Sequence, residues 1–288
     1  MGRNMDRKTI NRRQFLAGVV GVGLGAVSGN VVLGKAKVRR SEEGFTPLFN
    51  GQDLKGWHTN TPKIAHGRGG HWQVEQGVLT GEQDPPGSGN GGILLTDQDY
   101  GDFELRLELA PDWGIDSGVF LRTNAQGECF QVYVDYREQG NVGWISTETP
   151  TGAKRMIIRP FNIFAERNAQ GVLTGISTKP DPRPIAWKPD YLVYSATAEQ
   201  WLSVWKVGQW NALRVRCVGA YPRITTWING TKMAEFDGTT CPQPDYNKED
   251  LLRKLGPKGP IGLQVHGGDK MWTTGAKCRW RNIRIKPL

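Results

Sequence analysis

Apolar and polar residues alternate along many short stretches of this chain, and strict alternation is the pattern of a β-strand with one buried face. The stretch 101–137 shows the pattern three times, in the segments DFELRLEL, SGVFLR and CFQVYVDY. The opposite sides of these segments carry Arg, Gln, Tyr, Asp and an aromatic residue, a set suited to binding a polyhydroxylated ligand. Their apolar sides, which we expect in the core, are formed by Phe103, Leu105, Leu107, Leu109, Val119, Leu121, Phe130, Val132 and Val134.

Turn residues mark hairpins between further strands. Gln76 and Gly77 are expected to connect two strands within 72–81. Asn229 and Gly230 suit the type I′ turn whose twist matches that of a hairpin, here within 223–236. Additional strands are predicted at 92–96, 209–219, 260–266 and 277–285.

Two other segments do not follow the strand pattern. The segment 138–189 has little periodicity and many turn residues. A segment of that length inside a compact domain is expected to be functional or to contain small strands. One short helix is predicted near residues 247–255, with Asp245 near its cap and Gly256 at its end.

At least ten short strands separated by turn signals predict an all-β fold, a sandwich or jelly roll of antiparallel sheets. The chain has no repeat of 20–50 residues and no alternation of strands with helices that would indicate a parallel sheet. Its 38 Gly, 17 Pro and 11 Trp are consistent with many strands joined by turns.

The formal charge of +9 comes almost entirely from residues 1–40, which hold nine Lys or Arg residues and one acid, Asp6. The 37 basic and 28 acidic residues of the whole chain therefore leave 28 and 27 from Ser41 onward. The rest of the chain is nearly neutral, so the charge does not indicate a nucleic-acid partner.

The first residues resemble an export signal. Arg12 and Arg13 precede Phe15, Leu16 and a Gly-rich, mildly apolar run, as in a twin-arginine signal. We expect residues 1–36 to be this signal, 37–44 a short linker and 45–288 one catalytic domain. A periplasmic or extracellular bacterial location follows, with membrane contact only during export. An uncleaved anchor helix is the alternative.

Cysteine spacing argues against zinc, because Cys129, Cys217, Cys241 and Cys278 include no close-spaced pair. Cys217 and Cys278 lie in strand-like runs and are predicted to be small buried hydrophobic residues. An oxidising compartment would permit a disulfide, but folding before export disfavours one.

A series of motifs resembles the 3-keto-disaccharide hydrolase domain family, formerly a domain of unknown function. FTPLFNGQDLKGW, GDFEL, DSGVFLR and FQVYVD occur in order, followed by LRVRCVG, IGLQVHGG and WRNIRI. The resemblance covers about residues 45–288 and implies a concanavalin A-like jelly roll. It also implies activity as a 3-keto-glucoside 1,2-lyase or a 3-keto-2-hydroxy-glucal hydratase. The expected substrate is an oxidised glucoside or disaccharide, and a sugar 3-dehydrogenase is the implied partner.

The implied reaction has a clear chemical logic. A ketone at sugar carbon 3 acidifies the hydrogen on carbon 2, so a base can remove it and form an enolate. The enolate expels the group on carbon 1 by β-elimination, and addition of water gives net hydrolysis. The site needs a base, a group that stabilises the enolate and an acid for the leaving oxygen.

Three residues are the catalytic candidates. His266 shares a strand face with Gln264 and exchanges protons near neutral pH, as histidine ordinarily does; bonding to a neighbouring strand is its alternative role. Asp135, at a strand end, could act as base, orient His266 or bind a cation, or be a turn residue. Arg122 could polarise the ketone, or form a surface ion pair with a glutamate on the strand 103–109.

The residues predicted to bind substrate are Gln131, Tyr133, Gln264, Glu128 and Phe120. Members of the family often carry a Glu two positions before the strand Gln, where this chain has Cys129 beside Glu128. Asp116 is interpreted as a turn residue. The spacing of His58, His66 and His71 matches no standard metal site, so no metal ligands are predicted, and participation of a divalent cation stays open.

Two other functions fit the same pattern. A non-catalytic, lectin-like carbohydrate-binding module is one, because the fold alone does not determine function. A conventional glycoside hydrolase with two carboxylates is the other. It would combine Asp135 with Glu104 or Glu108.

Overall fold

Eighteen β-strands and two α-helices make up the regular structure of residues 44–149 and 155–288, which the computed structural model describes. The predicted export signal lies outside these residues, as does the predicted linker apart from Gly44. The helices are α1 (Ala198–Val204) and α2 (Lys248–Leu255). The strands are β1 (Thr46–Pro47), β2 (Trp57–Thr59), β3 (His71–Glu75), β4 (Val78–Glu82), β5 (Gly92–Thr96), β6 (Phe103–Pro111), β7 (Gly118–Leu121), β8 (Cys129–Val134), β9 (Val142–Glu148), β10 (Ile157–Ile158), β11 (Phe161–Arg167), β12 (Leu173–Pro180), β13 (Tyr194–Ser195), β14 (Asn211–Val218), β15 (Arg223–Ile228), β16 (Thr231–Asp237), β17 (Gly262–Val265) and β18 (Cys278–Pro287).

The strands form two antiparallel sheets of a jelly-roll sandwich, as predicted. The nine-stranded sheet has the order β13-β16-β15-β14-β6-β18-β4-β3, with β1 paired to β18. The seven-stranded sheet has the order β10-β9-β8-β7-β17-β5-β2, and β11 pairs with β12 in a separate hairpin. Strands that are distant in sequence thus become neighbours, since β17 lies between β5 and β7.

The core forms between the inner faces of the two sheets, and the alternation along the strands predicts its members correctly. Leu105 of β6 pairs with Val215 of β14 in the nine-stranded sheet, and both are fully buried. Val119 and Val132 belong to the same apolar cluster from the seven-stranded sheet. Burying this apolar area supplies the main favourable free energy of folding.

Both predicted hairpin turns are confirmed. Asn229 and Gly230 have φ values of 49° and 88°, and Gln76 and Gly77 have 49° and 79°. Two consecutive residues with positive φ define the type I′ geometry, which Asn and Gly tolerate best.

The predicted helix is present as α2, with a correction to its cap. Asn247, rather than Asp245, is the N-cap, and its side chain accepts a hydrogen bond of 2.9 Å from the Asp250 N–H. Gly256 ends the helix with a φ of 70°. Helix α1 was not predicted, although Thr197 and Gln200 form a capping box at its start.

The segment 138–189 contains strands β9 to β12, which its weak periodicity does not reveal. Strand β9 is buried along its whole length, so it lacks the alternation of a half-exposed strand. The four cysteines, all in the described part of the chain, are free, and Cys217 and Cys278 are fully buried as predicted. No helix of the described residues is long and apolar enough to cross a membrane.

Candidate active site

A polar cavity of about 130 Å³ lies on the face of the seven-stranded sheet that is turned away from the core. We call it the polar cavity. Three acids and four arginines are among its lining residues. These are Asp116, Gln131, Tyr133, Asp135, Arg137, Glu148, Arg155, Arg159, Arg183, His266 and Met271.

Strand β8 supplies one wall of the polar cavity through its alternation. Phe130 and Val132 point into the core, which turns Gln131 and Tyr133 to the opposite face. Gly118 on the neighbouring strand β7 makes room for Gln131, because a Cβ at position 118 would lie 2.3 Å from its Nε2.

Asp116 and Asp135 form a hydrogen-bonded pair of buried carboxyl groups. Burial raises the pKa of Asp135 well above its usual range, and the negative charge of Asp116 raises it further. Burial alone would also raise the pKa of Asp116, but electrostatic interactions with His266 and Arg137 outweigh it and lower the pKa. The Arg137 Nε donates a hydrogen bond of 2.9 Å to the Asp116 carboxylate. Asp116 is therefore the ionised member of the pair and Asp135 the protonated one.

His266 follows β17 and is held by the backbone around it. Its Nδ1 lies 2.5 Å from the carbonyl oxygen of Gly267, and its own backbone N–H donates to the carbonyl of Asp116. A carbonyl can only accept a hydrogen bond, so Nδ1 carries the proton and Nε2 is the nitrogen left to accept one. The imidazole is thus oriented to act as a base through Nε2.

A chain of polar side chains runs behind the polar cavity. Ser146 donates to Gln131, which donates to Gln264 over 3.0 Å. The Gln264 amide lies 3.2 Å from His66 Nε2. The His66 ring meets the His266 ring edge-on, with centroids 4.5 Å apart. Burial and the electrostatic interaction with His266 lower the pKa of His66 to about 3, so His66 is uncharged at neutral pH.

Acidic side chains hold three arginines of the polar cavity in place through ion pairs. Arg155 contacts Glu148 at 2.7 Å, and Arg159 contacts Asp181 at 2.7 Å. Arg183 also binds Asp181, and Arg159 lies over the Tyr133 ring at 5.6 Å from its centroid. These contacts fix the guanidinium groups before any ligand is bound.

Two further side chains of the polar cavity have raised pKa values. Burial is the largest influence on both. It raises the pKa of Tyr133 to about 12. It also raises the pKa of Glu148, although Arg155 and His266 act in the opposite direction.

The structure brings together His266, Asp135, Gln131 and Tyr133 in the lining of the polar cavity, and Gln264 directly behind them. The His266 side chain lies near Asp116 and shares this cavity with Asp135. Strand β17 achieves this by inserting between β5 and β7.

Arg122 requires a correction. Its guanidinium donates hydrogen bonds to the carbonyls of Gly101 and Gly219 and to the Asp102 carboxylate, at 2.8–3.0 Å. The side chain is 1% exposed and supports the backbone of neighbouring strands instead of lining the polar cavity. The arginines that line the polar cavity in place of Arg122 include three from the segment 138–189.

Phe120 and Glu128 also lie elsewhere than predicted. Phe120 is fully buried in a small apolar cluster, so it presents no exposed face to a substrate. Glu128 accepts a hydrogen bond from Asn124 and contacts Lys254 at 3.6 Å. Neither residue lines the polar cavity.

Two other interpretations change. Asp116 is a buried cavity residue rather than a simple turn residue. Glu104, proposed as a glycosidase carboxylate, lies on β6 of the other sheet, where it binds Arg106 and Arg214 at 2.8 Å each.

Sequence reasoning missed Asp116, Glu148, Arg155, Arg159 and Arg183. The available signal was the length of the segment 138–189, which indicated function without indicating residues. Glu148 pairs across the sheet with Cys129, where the family often carries its Glu.

Among the residues described, no group of three or more His, Cys, Asp or Glu is placed to hold a metal ion.

The fold and the polar cavity define a β-sandwich protein of the concanavalin-like jelly-roll class, with a site on the outer face of one sheet. Residues 44–286 match the family described as a 3-keto-alpha-glucoside-1,2-lyase-like domain. Because the match spans nearly the whole chain, the protein belongs to this family and is carbohydrate-active. No curated protein matches this chain.

Several solved structures are similar to this chain. A protein of Parabacteroides distasonis ATCC 8503 described as a "putative glycosyl hydrolase" is 21% identical, over 85% of this chain and 99% of that chain, with a TM-score of 0.46. A second one so described from the same organism is 18% identical, over 86% and 95%, with a TM-score of 0.45. A β-glucanase of Bacillus licheniformis is 10% identical, over 85% and 97%, with a TM-score of 0.43.

Proposed function

We propose that this protein cleaves glycosides that carry a ketone at sugar carbon 3, by β-elimination across carbons 1 and 2. It would then hydrate the resulting 3-keto-2-hydroxy-glucal, so that the net reaction is hydrolysis. The observation that carries the proposal is the polar cavity itself. It combines a histidine with an available Nε2, carboxyl groups with raised pKa and several fixed arginines.

His266 is the proposed base. The Nδ1 contact with Gly267 leaves Nε2 as the proton acceptor for the hydrogen on carbon 2. The ionised Asp116 lies close enough to interact electrostatically with the imidazole. It therefore stabilises the imidazolium that forms when His266 takes the proton.

The enolate oxygen on carbon 3 needs positive charge and hydrogen-bond donors. Arg155 and Arg159 supply charge from positions fixed by Glu148 and Asp181. Asp135, kept protonated by burial and by Asp116, donates its proton in the hydrogen bond to Asp116 and so holds that carboxylate beside His266. Donors that are already in place stabilise a developing oxyanion without reorganisation, which is a major source of catalysis.

Hydration reverses the direction of the proton transfers. Protonated His266 returns a proton to carbon 2 while water adds to carbon 1, and the acid that served the leaving oxygen now acts as base for that water. The ketone must be made by a separate oxidation at carbon 3, so the proposal implies a sugar 3-dehydrogenase that acts first.

A conventional glycosidase is the alternative enzyme, and it would need a second carboxyl group beside Asp135. Retaining and inverting glycosidases place their carboxyl groups about 5 Å or more apart, which leaves room for the sugar or for water. Asp116 and Asp135 instead share a hydrogen bond, so this pair is too close for that chemistry. The lectin-like alternative gives no reason for a buried, proton-sharing pair beside an oriented histidine.

One experiment tests the proposal. The chain is incubated with a 3-keto-glucoside and with the matching unoxidised glucoside, and release of the leaving group and the ultraviolet absorbance of the enone are followed. We expect release only from the oxidised substrate. His266→Ala should lower kcat by about 10²–10⁴-fold, the usual contribution of a general base.

The exposed His58 provides the matched control, because His58→Ala removes the same ring outside the polar cavity. Release from both substrates would favour a conventional glycosidase. Binding without release from either would favour the lectin-like function, and full activity of His266→Ala would contradict its assignment as the base.

A further inference from the structure

A second cavity, of about 440 Å³, opens beside the polar cavity. We call it the groove. Its lining residues are Lys63, Ile64, Ala65, His66, Gln126, Gly127, Glu148 and Thr149. Glu148 lines both cavities, and the His66 ring of the groove contacts His266 of the polar cavity. The two spaces therefore meet at Glu148.

The groove differs from the polar cavity in its chemistry. Ile64 packs against a small apolar cluster on the outer face of the seven-stranded sheet. Gly127 adds a surface without a side chain, since it has a φ of 80° and its missing Cβ would touch Ile64 Cδ1 at 3.3 Å. His66 contributes an uncharged aromatic ring. Arginines line the polar cavity and are absent from the groove lining among the described residues.

Size separates the two spaces as well. Pockets for small molecules usually measure about 300–1,000 Å³, which the polar cavity alone does not reach. The groove, at about 440 Å³, falls within that range. A ligand with a polar part in one space and an apolar part in the other would fill both.

We propose, on the basis of the proposed function, that the groove binds the group attached to carbon 1 of the 3-keto-sugar and accepts an aromatic aglycone. We assign Glu148, at the junction of the two spaces, as the acid that protonates the leaving oxygen. The sugar ring then lies in the polar cavity beside His266, and the glycosidic oxygen lies at Glu148.

The elimination balances with these residues. His266 Nε2 takes the proton from carbon 2, and the electron pair of that C–H bond enters the enolate. The electrons then form the carbon 1–carbon 2 double bond as the bond between carbon 1 and the leaving oxygen breaks. Glu148 transfers its carboxyl proton to that oxygen, so the products are a neutral aglycone alcohol and the 3-keto-2-hydroxy-glucal.

The first test addresses the groove. Rates are measured for a phenyl 3-keto-glucoside and for the methyl 3-keto-glucoside of the same anomer. Ala65 is exposed at the groove, so Ala65→Glu places a charge there with little effect on folding. We expect the ratio of kcat/KM for phenyl over methyl substrate to fall at least fivefold. Ala169→Glu, at an exposed position outside the groove lining, is the matched control and should leave the ratio unchanged.

The second test addresses Glu148. A phenolate with electron-withdrawing groups leaves without protonation, whereas methanol needs its proton. Glu148→Gln should therefore lower kcat by about 10²–10⁴-fold for the methyl substrate, and by less than tenfold for the 4-nitrophenyl substrate. Equal losses for both substrates would overturn the assignment of Glu148 as the acid.

The outcomes separate the two proposals. In one outcome, the protein turns over 3-keto-glucosides while Ala65→Glu leaves the phenyl-to-methyl ratio of kcat/KM unchanged. That result overturns the groove assignment alone. A stronger preference for a 3-keto-disaccharide than for the phenyl substrate also overturns it, because a sugar would then be the occupant. No turnover of any 3-keto-glucoside by the unmodified chain overturns the proposed function, and this inference with it.

Discussion

Asp135 is the residue whose surroundings differ most from those of an ordinary surface aspartate. It is 5% exposed, and its carboxyl group lies beside the ionised Asp116. The Arg159 guanidinium lies 3.9 Å from this carboxyl group. Two carboxyl groups this close titrate as a unit, and one of them keeps its proton to high pH.

The raised pKa of Asp135 predicts a dependence of stability on pH. Below pH about 3.9, the usual pKa of an aspartate in an unfolded chain, Asp135 is protonated in both the folded and the unfolded state. Its titration then has no effect on the free energy of unfolding. As the pH rises toward the raised pKa of the folded state, the unfolded chain loses its proton first, which favours unfolding. Asp135→Asn removes this titration, so its Tm relative to the unmodified protein should increase as the pH is raised from 4 to 8.

The same substitution should lower kcat for a 3-keto-glucoside by no more than about tenfold, because the amide can still donate a hydrogen bond to Asp116. Thermal melts at several pH values and one rate assay check both effects. Asp99→Asn, at an exposed position, is the matched control. A Tm difference that does not change with pH would contradict the buried, protonated state of Asp135.

At the scale of elements, the hairpin of β11 and β12 positions two arginines of the polar cavity, Arg159 and Arg183. Phe161 at its start pairs with Pro180 at its end, which brings Arg159 and Asp181 together. Asp181 accepts hydrogen bonds from Arg159 and Arg183, each at 2.7 Å. Burial alone would raise the pKa of Asp181, but these bonds outweigh it and lower the pKa to about 2.

Asp181 is therefore predicted to be a positioning residue. Asp181→Asn keeps the shape of the side chain and removes the negative charge that holds the guanidinium groups of Arg159 and Arg183. A hydrogen bond to a charged group contributes roughly 1.5–3 kcal/mol, so a fall in kcat/KM of roughly ten- to hundredfold is expected. Since the arginines stabilise the enolate more than the ground state, kcat should fall more than KM rises.

Asp190→Asn, on an exposed aspartate of the neighbouring turn, is the control. Steady-state kinetics with a 3-keto-glucoside gives both parameters. Unchanged kcat with a loss of thermal stability alone would mean that Asp181 serves only the fold.

At the scale of the whole molecule, the sandwich core supports the outer face of the seven-stranded sheet without contributing to its chemistry. Leu105 lies in this core on the other sheet and is fully buried. Leu105→Ala should lower the free energy of unfolding by about 2–5 kcal/mol, because a cavity remains where the side chain was. Below the melting transition, the kcat of the folded fraction should stay within about twofold.

Leu202→Ala makes the same change on α1, where the side chain is 37% exposed. Its effect should be much smaller. Denaturant unfolding of both variants measures the difference. An equal cost at the two positions would contradict the packing described for the core.

Local sequence patterns predicted much of the fold. The alternation in β6, β8 and β14 identified which side chains face the core, because successive residues of a strand point to opposite faces. Asn229 and Gly230 located a hairpin, since their preferred φ values match one turn type. Strand β9 escaped detection because its sequence, VGWISTE, has both apolar and polar residues at each set of alternate positions, so no clear period of two appears.

The candidate site was only half predictable. Gln131 and Asp135 followed from the alternation of β8, and His266 from that of β17. Arg122 was assigned to the wrong role, because a sequence pattern shows the side of a strand on which an arginine lies but not the carbonyls it contacts. Three of the four arginines of the polar cavity come from the segment 138–189, whose pairing depends on contacts with distant strands.

The sequence by itself thus determined the all-β class, the faces of most strands, the hairpin turns and the family, since these depend on neighbouring residues and on motif order. Only the tertiary structure decided which strands are adjacent, which arginines reach His266 and which of two aspartates keeps its proton. The physical reason is that burial and charge depend on groups far apart in the chain. Asp116 and Asp135 differ in ionisation because Arg137, Arg159 and His266 surround them unequally.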